Sequence, residues 1–119
     1  MVNILIILNH NPYDGSDATW NALRLCRTLL EEGVEIRLFL MNDAVDLARD
    51  ETVKPDNYDY DLTAMLKDLY HRGIALKACG TCMARCGVYK NRPWFAEEIG
   101  GTMKELAQWV LLSDKVLTF

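Results

Sequence analysis

The sequence is short of several things at once. No stretch of its 119 residues approaches the roughly 20 consecutive apolar residues of a membrane helix. No secretory signal is visible either, so none is expected. Met1-Val2-Asn3-Ile4-Leu5-Ile6-Ile7-Leu8 is apolar but short, lacks a basic start and is ended by Asn9-His10-Asn11-Pro12. These absences point to the cytosol and away from a membrane partner. Prolines number only three, and there is no repeat, low-complexity tract or linker, so the expectation is one domain spanning residues 1–119. The formal net charge is −4 with no long run of one sign, which argues against nucleic acid as the main partner. Histidines number two, and neither an H-x-x-x-H nor a second C-x-x-C exists. A zinc signature is therefore incomplete, and neither a metal nor a cofactor is expected.

What is present is a foldable core. Hydrophobic residues make up 50% of the chain, enough to fold without disulfides or metals. Strand and helix patterns alternate, which predicts a parallel sheet covered by helices. Asn3 to Leu8 is a continuous apolar run suited to a strand buried on both faces. Pro12 and Asp14-Gly15 mark a turn, Ser16 or Asp17 can cap a helix, and Leu23, Cys26, Leu29 and Leu30 give that helix its inner face. Gly33 sits where a left-handed C-terminal residue is wanted, and Glu35 to Leu40 reads as a second strand. Asn42 to Asn57 reads as loop, with a helical turn around Val45 to Ala48. Asp59 and Asp61 precede a helix striped by Leu62, Met65, Leu66, Leu69 and Tyr70. A third strand is expected from Ile74 to Ala78, a short helix around Cys82 to Cys86, and a fourth strand between Gly87 and Trp94. Thr102 and Glu105 form a T-x-x-E capping box. The stripe Met103, Leu106, Ala107, Val110 and Leu111 behind it reads as core, and Lys115 to Phe119 reads as the last strand.

Four cysteines occur, three of them within the eight residues Cys79 to Cys86. In a reducing compartment this clustering speaks for redox, sulfur or metal chemistry rather than a disulfide framework. Cys26 belongs to a helical stripe and reads as an inert buried thiol. Cys79 falls where a strand ends and a helix begins, the edge of an α/β sheet at which ligands sit. Free backbone N–H groups there favour a thiolate. From Leu69 to Ala96 there is no Asp or Glu, whereas Arg72, Lys77, Arg85, Lys90 and Arg92 fall in that stretch, a prospective basic patch in which Arg85 shares the short helix with the cysteines. His10 and Tyr13, in the loop after the first strand, should emerge on the same edge, and Trp94 is a candidate pocket or subunit-contact residue. Three chemistries fit. Cys79 can carry a sulfane sulfur as a persulfide. Cys79-x-x-Cys82 can act as a redox dithiol, with Pro93 the one prospect for the cis-proline such sites use. Cys79, Cys82 and Cys86 can ligate zinc with His71 or His10.

The residues Ile4-Leu5-Ile6-Ile7-Leu8, Pro12-Tyr13, Gly33-Val34-Glu35-Ile36-Arg37-Leu38-Phe39-Leu40, Asp43-Ala44-Val45, Leu76-Lys77-Ala78-Cys79-Gly80-Thr81-Cys82 and Ser113-Asp114-Lys115-Val116-Leu117-Thr118-Phe119 together resemble the DsrE/DsrF-like sulfur-relay family, which includes DsrE, DsrF, TusD and TusC. The resemblance covers nearly the whole chain. It implies an α/β fold, a three-layer α/β/α sandwich on a mainly parallel five-stranded sheet, and self-association as trimers or hexamers. It places the family's sulfur-carrying cysteine at Cys79, and it implies sulfur-donor and sulfur-acceptor proteins as partners. Two departures bear on function. Cys86 is inserted between Arg85 and Gly87, where many relatives carry Ala-Arg-Gly, which makes it a prospective resolving thiol. Cys82 is not shared by the members that serve tRNA thiolation. The resulting expectation is a persulfide-type carrier or sulfurtransferase-like protein using Cys79, Cys82 and Arg85, with Cys86, His10 and Tyr13 as accessory residues. The alternatives are a zinc-binding or structural oligomeric subunit and a dithiol redox protein.

Overall fold

The five strands β1 (Asn3–Leu8), β2 (Glu35–Leu40), β3 (Ala75–Cys79), β4 (Gly100–Gly101) and β5 (Lys115–Thr118) form one sheet in the order β4-β3-β2-β1-β5. Every pairing is parallel. The computed structural model describes residues 2–50, 52–85 and 94–119. The helices are α1 (Ala18–Glu31), α2 (Leu62–His71), α3 (Gly80–Arg85) and α4 (Met103–Leu112).

Strand order fixes the layers. The crossovers β1-α1-β2 and β2-α2-β3 step across the sheet in one direction, and β4-α4-β5 returns across its whole width in the other. Because parallel crossovers are right-handed, α1 and α2 share one face and α4 lies on the opposite one. The result is the three-layer α/β/α sandwich. Phe39 meets Trp109 of α4 edge-on, with ring centroids 5.8 Å apart. The alternate residues Leu38 and Leu40 are fully buried, as expected for a strand covered on both faces.

Local chemistry sets the element ends. Gly33 and Gly73 adopt φ of 82° and 99° after α1 and α2, a conformation that a Cβ would penalise. Asp61 caps α2 by accepting the Ala64 N–H at 2.9 Å. Thr102 and Glu105 form the full reciprocal capping box at the start of α4. At α1 the N-cap position is Asp17, which makes no side-chain cap bond and instead accepts the Tyr58 hydroxyl at 3.1 Å; just before it, Ser16 Oγ accepts the Ala18 N–H at 3.4 Å.

The described sheet takes Gly100–Gly101 as a strand beyond β3, paired with Ala78 and Cys79; the strand expected between Gly87 and Trp94 falls on residues 87–93, which lie outside the described ones, and Trp94 makes an isolated bridge to Arg49. Glycine suits β4 because a Cβ on Gly101 would stand 3.1 Å from Lys77 Cβ and 3.3 Å from Phe39. Two expectations need correction. Asn42–Ala48 is a full 3₁₀ segment with Ala44, Val45, Leu47 and Ala48 buried, more than one helical turn. Most of the α4 stripe is not core: only Leu106 is buried, whereas Met103, Val110, Leu111 and Leu112 are exposed, Leu111 to 85%.

Candidate functional site

Cys79 is the last residue of β3, and α3 begins with the next residue. Its register partner on β4 is Gly101. The side chain is 5% exposed, and its Sγ accepts the backbone N–H of Cys82 at 3.2 Å. Sulfur here occupies the place of an N-cap oxygen. Cys82 is partly exposed, and its own Sγ accepts the backbone N–H of Asn42 at 3.2 Å. Two cysteines, each receiving a main-chain donor, thus sit at the carboxyl edge of the sheet, where α/β folds place their chemistry.

Asn42 and Asn9 are the members that pattern reading misses. Asn42 Nδ2 donates to Asn9 Oδ1 at 3.0 Å. Asn9 donates to the Phe119 carbonyl through Nδ2 at 3.2 Å and through its backbone N at 2.9 Å. The ends of β1, β2 and β5 are thereby linked at the edge that carries the cysteines. The signal that could have found Asn42 is an asparagine two residues past the end of a strand, a residue that tolerates left-handed backbone.

The remaining expected residues divide. His10 emerges on the correct edge but turns to Asp14, with Nδ1 4.0 Å from that carboxylate and a side chain 57% exposed. Asp14 in turn is held below the ordinary carboxyl range mainly by its hydrogen bonds from Ser16. The Tyr13 hydroxyl accepts the Leu62 N–H at 3.0 Å, and its ring meets Tyr58 edge-on. Burial, opposed in part by that hydrogen bond, raises its phenol. Tyr13, Gly15, Pro55, Asn57 and Tyr58 enclose a small cavity of about 210 Å³. Arg85 closes α3, but its side chain, like Cys86, Lys90, Arg92 and Pro93, lies outside the described portion.

The expected basic patch does not assemble from its described members. Arg72 follows α2 at the amino end of β3 and pairs with Asp68 at 3.1 Å. Lys77 shares the Cys79 face of β3, but its Nζ lies 3.2 Å from the Glu105 carboxylate. His71, offered as a zinc ligand, is the last residue of α2, which feeds the opposite end of β3 from Cys79. Across five residues that is a separation of about 16 Å along the strand, so His71 does not join the cysteines. Among the described residues no group of three His, Cys, Asp or Glu is placed to hold a metal ion. Cys26 is fully buried, and burial pushes its thiol up to about 12, in keeping with an inert core residue.

The likeness to known proteins is decided along the whole chain. The DsrE/DsrF-like family profile matches residues 2–119. The chain belongs to the DsrE/DsrF-like family. Protein YchN of Escherichia coli K12 is 41% identical over 121 aligned residues, covering 100% of both chains. An uncharacterized protein of Methanopyrus kandleri is 33% identical over 117 residues, with 98% of this chain and 93% of the relative covered. The crystal structure of the E. coli YchN protein superposes with a TM-score of 0.87 at 40% identity over 100% of each chain, so the all-parallel sandwich is shared with a solved relative.

Proposed function

We propose that this protein is a persulfide-type sulfur carrier of a cytosolic sulfur relay, with Cys79 as the loaded residue. The observation that carries the reading is the Cys79–Cys82 pair at the carboxyl end of β3, in a chain of the DsrE/DsrF-like family. In the loading step the Cys79 thiolate attacks the terminal sulfur of a donor persulfide, R–S–S⁻. The Cys79 S–S bond forms, the donor S–S bond breaks, and the donor leaves as R–S⁻. Cys79 then holds a sulfane sulfur, Cys79–S–S⁻, for an acceptor protein to take by the same exchange. Cys79 is only 5% exposed, less accessible than a carrier thiol is expected to be, so on this reading the donor must reach a nearly covered sulfur and access governs the rate of exchange.

Self-association is part of the proposal. Met103, Val110, Leu111 and Leu112 on α4 and Val116 on the edge strand β5 are all exposed. We read these exposed apolar side chains on one helix and the adjoining edge strand as a surface for self-association. A homo-oligomer, trimer or hexamer, would cover it, with sulfur donors and acceptors as transient partners. No described helix is long and apolar enough to cross a membrane.

The deciding experiment is intact mass after incubation with a low-molecular-weight persulfide, with and without reductant, beside Cys79→Ser. A reductant-sensitive gain of one sulfur atom that is absent from the variant is the expected result. No gain, or an equal gain in the variant, refutes the reading.

A further inference from the structure

The contact between Asn42 and Cys82 has no part in the loading step. Asn42 is the one non-glycine among the described residues with a positive φ, 51°. Unusual backbone of this kind persists where the surroundings over-determine it, and it gathers at functional sites. Here it turns an N–H from the end of β2 toward a sulfur on α3. The Asn42 side chain is anchored through Asn9 to the end of β5, so the donor is held from three strands.

We propose that Asn42 is a positioning residue that prepares Cys82 to discharge the persulfide on Cys79. The inference rests on the carrier reading given above. In this step deprotonated Cys82 attacks Cys79 Sγ. The Cys79–Cys82 S–S bond forms, the bond from Cys79 Sγ to the outer sulfur breaks, and the outer sulfur leaves as HS⁻ with the proton that Cys82 gave up. Two cysteine sulfurs are oxidised to a disulfide and the sulfane sulfur is reduced to sulfide, so no outside oxidant is needed. The Asn42 N–H fixes the attacking sulfur and stabilises its charge, as donors to ionised groups do. Cys79 Sγ already lies 3.2 Å from the Cys82 backbone nitrogen, so the two residues meet at the strand–helix junction, where a disulfide needs Cβ atoms about 3.5–4.5 Å apart. A loaded carrier that meets no acceptor thereby ends as sulfide and a disulfide.

The test loads the protein with glutathione persulfide, removes excess donor, and follows sulfide release and disulfide formation by intact mass. Asn42→Val, Asn42→Ala and Asn42→Gly are compared, alone and with Cys82→Ser. Glycine adopts the left-handed conformation freely and keeps the N–H; valine is strongly excluded from it. All variants should load one sulfur at Cys79. Sulfide release should be about tenfold slower in Asn42→Val, the scale of losing a hydrogen bond to a charged group. Asn42→Gly should restore a rate close to that of the parent, and Asn42→Ala should fall between, which preserves the ranking should Asn42→Val fail to fold. With Cys82→Ser in place, Asn42→Val should have no further effect. Unaltered discharge in the alanine and valine variants, or an effect that survives Cys82→Ser, overturns the role of Asn42 while loading stands. Failure of the parent to load overturns the carrier reading itself, and this proposal with it.

Discussion

The sulfur of Cys79 stands 3.2 Å from the backbone nitrogen of Cys82, so one thiol both ends a strand and caps the helix that follows. The two roles separate under substitution. A serine hydroxyl is a good cap acceptor, whereas alanine leaves the Cys82 N–H without that partner. Cys79→Ser should therefore unfold in denaturant close to the parent, and Cys79→Ala about 1 kcal/mol earlier. Both should fail to load sulfur. A serine variant as unstable as the alanine variant would show that the sulfur does not act as a cap.

Cys26 should stay silent in the folded protein. Burial raises its thiol from 9.0 to about 12, so between those values the unfolded chain ionises first and the native state holds the extra proton. Stability from this group is complete below about pH 9 and is lost as pH rises through the folded value. Alkylation at pH 8 should leave Cys26 unlabelled until urea is added. Chemical denaturation from pH 8 to 11 should show a steeper loss of stability in the parent than in Cys26→Ala. Parallel curves would show that the thiol ionises alike in both states.

Much of the fold was legible because hydrophobic runs and glycines encode it locally. The Ile-rich β1 and the left-handed Gly33 and Gly73 need no tertiary information. β4 was illegible for the opposite reason: two glycines carry no side-chain pattern, and their presence in the sheet is set by the closeness of Lys77 and Phe39. The α4 stripe gave the right helix but the wrong surroundings, since apolar spacing reads alike whether the side chains are buried or exposed. At the site, Cys79 could be read from its position after a strand. The donor from Asn42 is a main-chain N–H, marked in the sequence only by an asparagine, which tolerates left-handed backbone, shortly after a strand. Of the expected basic patch only Arg72 and Lys77 are described with their side chains, and linear charge counts ignore partners that fold in from elsewhere, as Glu105 does onto Lys77.

The apolar face of α4 predicts a quaternary effect. Leu111 is 85% exposed, so Leu111→Arg removes no core contact and should leave the unfolding of a single subunit nearly unchanged. If α4 and β5 meet another copy, the buried arginine would lack a partner at that contact. Sedimentation equilibrium should then show a smaller assembly with an unchanged circular dichroism spectrum. An unchanged mass would place any self-contact elsewhere.

Gly101 tests the fit of β4. An added Cβ would lie 3.1 Å from Lys77 Cβ and 3.3 Å from Phe39 Cε2, so Gly101→Ala must push β4 away from β3 or shift the Phe39 ring. Overpacking of this kind costs about 1–3 kcal/mol. Because Gly101 pairs with Cys79, the same change should alter sulfur loading, whereas Thr102→Ala, one residue on, should cost about 1 kcal/mol through the lost cap and leave loading intact. Denaturant midpoints and intact masses for the two variants separate these effects. Equal loading in both would show that the β3–β4 pairing does not set the position of Cys79.

Glu105 links the capping box of α4 to β3. The Lys77 ammonium, hydrogen-bonded to Glu105, holds its carboxyl below the ordinary value of 4.5, with Thr102 adding to the effect. A carboxyl depressed in the native state binds its proton more readily when unfolded. Its stabilisation is therefore complete above about pH 4.5 and disappears as pH falls through the lower folded value. The parent should melt higher than Glu105→Gln at pH 6, and the difference should close on acidification below pH 4. Added salt should shrink the difference at pH 6, since the pair is partly exposed and screened. A gap that persists at low pH would mean that packing of the longer side chain, rather than its charge, joins α4 to the strand that carries Cys79.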